Sequence, residues 1–66
     1  MTVSQGTRIV ISVNGYGEGW RVRAWQDCGW NYTLSQTWHH DESAAKRQAR
    51  FLLKSYPGAV VLGVTL

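Results

Sequence analysis

A chain of 66 residues with one cysteine, four tryptophans and a formal charge of +3 is bounded before any motif is read. It has room for one domain, residues 1–66, and a chain of this size buries only about 60% of the surface its unfolded form exposes, so its stability is marginal unless something supplements the core. A lone Cys28 excludes an internal disulfide and no Cys/His spacing suits zinc, which leaves aromatic packing and self-association as the resources.

The calculated pI near 9.5 admits anionic partners without demanding them. The start, "MTVSQGTRIV", lacks the basic-then-apolar layout of a signal peptide, and no apolar run approaches the roughly 20 residues of a membrane helix. The expectation is a soluble cytoplasmic protein (host-cell cytoplasm if viral), complete as it stands, with no membrane contact, no cofactor and no small-molecule substrate.

In chain order, "RIVISV" at 8–13 is β-branched and bounded by glycine, and predicts a first strand. "NGYGEG" follows, and three glycines in six residues predict a hairpin connection longer than two residues. "WRVRAWQD" at 20–27 alternates apolar and polar and predicts a second strand; "DCG" is a turn. "WNYTLSQTW", Trp30 to Trp38, alternates as well and predicts a third. Asp41 then suits a helix N-cap, because its carboxylate can accept a free amide of the first turn. Glu42 in the first turn and Lys54 in the last complement the helix dipole. Ala45, Ala49, Leu52, Leu53 and Tyr56 form one helical face, and Pro57 and Gly58 stop the helix. "AVVLGVTL" at 59–66 is too short for a helix and predicts a fourth strand.

The fold class is therefore α+β, in the order β-β-β-α-β, with one helix on one face of an antiparallel three-stranded meander. A right-handed crossover through the helix places the fourth strand beside the first, giving sheet order 4-1-2-3. The competing arrangement swaps that strand into a second subunit.

Side chains of a strand alternate between faces. Ile9, Ile11 and Val13, then Trp20, Val22 and Ala24, then Trp30, Tyr32, Leu34 and Trp38 are assigned to the face under the helix. The opposite face then carries Arg8, Val10 and Ser12, Arg21, Arg23 and Trp25, and Asn31, Thr33, Ser35 and Thr37. A single helix covers only one face, so this one is open to solvent or to a partner. Arginine forks phosphate oxygens or a guanine edge, and hydroxyls donate to phosphates. The plainer reading of any one of these residues is a solvated sheet face, with Trp25 covered by arginine stems through cation–π contact. As a group, with a large aromatic among them, they read as an interface. Arg8, Arg21, Arg23, Trp25, Thr33 and Ser35 are the candidate contacts to nucleic acid or a protein partner. Lys46, Arg47, Arg50 and Lys54 form a second basic surface, on the helix and turned away from the sheet.

No other motif carries chemistry. His39 and His40 lack further ligands and read as a polar strand-to-helix turn. Cys28 beside Asp27 disfavours a thiolate. The glycines of "NGYGEG" join two strands rather than opening a helix, so they do not make a phosphate loop. With no metal set and no catalytic arrangement, the chain reads as a non-enzyme.

The stretch "GEGWRVRAW…SQTWHHDESAAKRQARFLL" resembles the AP2-like arm-binding domains of phage-type tyrosine recombinases. The matching pieces are Trp20, Arg21, Val22 and Arg23, then Thr37 and Trp38, then Asp41, Ala44, Ala45 and Ala49, within residues 8 to about 55. The resemblance implies a three-stranded sheet on one helix, with the open face laid in the DNA major groove and Arg21, Arg23 and Trp25 as contacts. Two features differ: the third strand carries no Lys or Arg on its outer face, and the fourth strand is extra. The pattern from "WRVR" to "SYPGA" also resembles the small YegP-like domains, whose single-repeat members pair up; that resemblance implies no particular chemistry. Two functions follow as expectations. One is a small regulatory DNA-binding protein of phage or mobile-element type. The other is a protein-interaction module, a homodimer or a small inhibitor of a host protein, using the same face or the edge of the fourth strand.

Overall fold

The computed structural model of the protein describes residues 8–27 and 31–66. The expected Cys28–Gly29 turn and the core position of Trp30 lie outside the described residues. β1 spans Arg8–Tyr16, β2 Gly19–Asp27, β3 Asn31–His39, α1 Glu42–Ser55 and β4 Val60–Leu62. They form one four-stranded sheet in the order β3-β2-β1-β4, as the crossover argument expects. β4 pairs with β1 of the same chain, in parallel, with Val10, Ile11 and Ser12 opposite Val60, Val61 and Leu62.

The first hairpin is tighter than the sequence suggests. β1 and β2 pair as far as Tyr16 opposite Gly19, so only Gly17 and Glu18 form the loop. Gly17 has φ +55, and among the described residues no residue other than glycine has positive φ. Positive φ at the first central residue alone is the sign pattern of a type II′ turn, whose twist matches that of paired strands. The glycines at 15 and 19 thus belong to strands rather than to a long connection.

α1 starts where its cap predicts. The Ala44 amide donates to Oδ1 of Asp41 at 2.8 Å, with Asp41 itself extended. At the other end the Tyr56 amide donates to the Leu52 carbonyl at 2.8 Å, and Gly58 at φ +91 turns the chain back. β4 is three residues long, not eight. Gly63, at φ +95, ends it: a Cβ there would collide with the Val13 carbonyl oxygen.

The core lies between α1 and the helix-side rows of β1 and β2. Ile11, Val13, Val22, Ala24, Ala45 and Ala49 are essentially inaccessible, and Leu52 closes the cluster. Alanines on the helix let it approach the sheet closely, while Trp20, Leu34, Leu53, Tyr56 and Val61 pack around the margin. Tyr32, expected in the core, is 51% exposed.

Candidate partner-binding face of the sheet

The open face is set by the ladder between β2 and β3, which is not regular. Ala24 lies opposite Ser35 but Trp25 lies opposite Thr33, so β3 carries one extra residue at this point. This β-bulge shifts the phase of everything after it, because one residue reverses the face of each side chain in a period-two strand. Directly opposed residues share a face. Ser35 and Thr37 therefore lie with Ala24 and Val22 on the helix side, not on the open face as expected. Thr37 Oγ1 and His39 Nε2, also on the helix side, are 2.8 Å apart. Trp38, expected in the core, lies instead opposite Arg21 on the open face and is 59% exposed. Thr33, before the bulge, keeps its expected place beside Trp25.

The face has a definite internal order. The Arg21 guanidinium sits over the Tyr16 ring, 4.5 Å from its centroid, and Tyr16 in turn meets the Trp38 ring edge-on at 6.0 Å and 67°. The Arg23 guanidinium sits 5.0 Å from the centroid of Trp25, and its Nη2 donates to Thr33 Oγ1 at 2.8 Å. These contacts orient the two guanidinium groups by cation–π attraction. The long side chains lie over the middle of the sheet, where Val10 and Ser12 are 4% and 7% exposed despite facing away from the helix. Asn14 donates to the Ser12 hydroxyl at 3.1 Å.

The arginines differ in how occupied they are. Arg8 is paired with Asp27 at 3.4 Å in an exposed ion pair, so its charge is partly neutralised. Neither Arg21 nor Arg23 has a carboxylate partner among the described residues, and the Nε of each is shielded without an acceptor. A guanidinium has five donors. Arg23 spends one of them on Thr33, and Arg21 spends none on a described residue.

The second basic surface is where the sequence places it. Arg47, Arg50 and Lys54 are exposed on α1, while Lys46 lies 3.7 Å from Glu42 one turn away. Nothing joins it to the sheet's open face, since the core lies between them. A shallow cleft of about 270 Å³ opens between Gly19, Trp38, His39 and His40, at the end of the sheet where the chain enters the helix. Among the described residues no three His, Cys, Asp or Glu side chains converge as a metal site would require. No helix is long and apolar enough to cross a membrane.

Three of the face's prominent residues escape sequence reasoning. Tyr16 looks like part of a loop, Trp38 looks like core, and Gln36, opposite Arg23, looks like an interruption. Gln36 is the one visible signal: a polar residue in the middle of the row Tyr32, Leu34, Gln36, Trp38 is out of place under a helix. The chain matches no protein-family model, no curated protein and no solved structure.

Proposed function

We propose that this chain is a small non-enzymatic regulatory module that binds DNA through the open Arg/Trp face of its sheet. The observation that carries the reading is the pair Arg21 and Arg23. They sit two residues apart on one interior strand, each held against an aromatic ring, and neither is matched by a carboxylate among the described residues. Both guanidinium groups are pre-oriented by their rings, with donors left for planar acceptors such as phosphate or a guanine edge. The resemblance to phage-type arm-binding domains supports the same face and the same two residues. Thr33 and Trp25 shape the site, and Arg8 contributes less because Asp27 holds it.

The test is light scattering with and without random-sequence DNA, single-stranded and duplex, at low and moderate salt. A complex that weakens with salt is expected. With two phosphates neutralised, log K against log[salt] has a slope of about −1.4 for a single strand or −1.8 for a duplex. Arg21→Ala combined with Arg23→Ala abolishes the complex if the reading is right. An unchanged complex in that double variant rules the sheet face out.

A second reading has its own observation. Val60 and Leu62, opposite Val10 and Ser12, put two exposed apolar side chains (38% and 48%) on the same face. With Trp38 and Tyr16 at the far side, this composition also suits a protein-interaction module or homodimer. A dimer indifferent to DNA and to the double arginine variant selects that reading.

A further inference from the structure

The preceding reading leaves the form of the nucleic acid open, and the aromatic residues bear on it. We infer that the open face takes a single strand, with an unpaired base stacked on Trp38 and the backbone held by Arg21 and Arg23. This inference rests on the nucleic-acid reading and goes one step beyond it.

By reversing the phase of β3, the bulge carries Trp38 out of the core and sets it beside Tyr16. Folding gains nothing from leaving a tryptophan 59% exposed, since burying an aromatic is worth about 1.5–3 kcal/mol. The Tyr16 contact is edge-on and leaves much of the indole surface free. Tyr16 is also about half exposed, at 48%, with Arg21 against its ring. Trp25 and Arg23 repeat the pairing further along the sheet. Each of the two guanidinium groups therefore lies against a ring on the open sheet.

A duplex can engage such a face only through its groove edges and phosphates, because its bases are already stacked on both sides, and among the described residues this face offers two arginines without a carboxylate partner. An unpaired base presents a free π-face, and stacking on an aromatic ring is tolerant of base identity. The two guanidinium groups lean apart along the strand, Arg21 towards Tyr16 opposite Gly19 and Arg23 towards Trp25 and Thr33. Their reach thus exceeds the roughly 6.7 Å between the Cα atoms of residues i and i+2, and each can meet a different phosphate of one extended strand while a base lies on Trp38.

The test compares three fluorescein-labelled probes of about 12 nucleotides, the scale of one single-strand site, by anisotropy with the wild-type protein. They are oligo(dT), the same strand annealed to oligo(dA), and an abasic deoxyribose-phosphate strand of equal length. The expected result is at least tenfold tighter binding of oligo(dT) than of the duplex, and a loss of roughly 5- to 150-fold on removing the bases, the range of a single stacking contact or slightly more. Trp38→Ala loses a similar factor on oligo(dT), and Trp38→Phe recovers most of it. Duplex binding as tight as single-strand binding overturns the inference and leaves the DNA reading standing. Equal affinity for the abasic strand overturns it too. Binding to none of the probes overturns both.

Discussion

The two faces of this sheet are made by the same four strands and obey different rules. On the helix side, Ile11, Val13, Val22 and Ala24 meet Ala45, Ala49 and Leu52 with almost no exposure. The constraint there is volume: each side chain is fixed by its neighbours, and a change in size is felt as stability. On the open side, Tyr16, Arg21, Arg23, Trp25 and Trp38 touch one another through cation–π and edge-on ring contacts while staying partly wet. The constraint there is orientation. The contrast shows that one sheet can carry a close-packed core on one side and an ordered, partly wet array of side chains on the other.

That separation can be broken deliberately, starting with the largest effect. Ile11→Ala, at a fully buried site, is expected to cost about 2–5 kcal/mol, read by chemical or thermal denaturation, and a chain this small can unfold outright. Next comes a pair of tryptophans, one on each side. Trp20 packs against the core and Trp38 does not, so Trp20→Ala is expected to cost about 2–4 kcal/mol. Trp38→Ala is expected to cost under about 1 kcal/mol, the scale of its edge contact with Tyr16. Equal costs would mean that Trp38 belongs to the core and that the bulge is misplaced. Gly63→Ala is smaller but sharper in cause. The residue has positive φ and its Cβ would meet the Val13 carbonyl, so a loss of more than about 1 kcal/mol is expected. Hydrogen exchange would show the loss as opening of β4 first. The smallest effect is on the open face, where Arg8→Ala removes an exposed ion pair with Asp27 and changes stability by about 0–1 kcal/mol. A large loss there would show that the open face carries stability after all.

The same contrast explains how much of the molecule could be read from the chain. Element order, the Asp41 cap, the helical face from Ala45 to Tyr56 and the position of β4 beside β1 all follow from local patterns and connection rules, and the structure has each of them. β1 and β2 have the expected faces because their alternation is unbroken. β3 does not, because "NYTLSQTW" alternates on paper while its backbone holds one extra residue between Thr33 and Ser35. A binary pattern records polarity and not register, so the bulge moved Ser35 and Thr37 to the helix side and Trp38 to the open side without a change in composition. The hairpin differs from expectation for a related reason: three glycines in six residues suggest a long loop, but in this turn only Gly17 needs its positive φ. On the candidate site, Arg21, Arg23, Trp25 and Thr33 were legible from alternation alone. Tyr16 and Trp38 were not, because their places depend on a turn type and a bulge.

The proposed binding surface is the open face and not the basic side of the helix. The most direct test is a nuclear magnetic resonance titration of the isotope-labelled protein with oligo(dT), following every amide and each indole. The account expects the largest shifts at Tyr16, Arg21, Arg23, Trp25 and Trp38, with Arg47, Arg50 and Lys54 unmoved. Shifts confined to the helix residues, or no shifts at all, would contradict it.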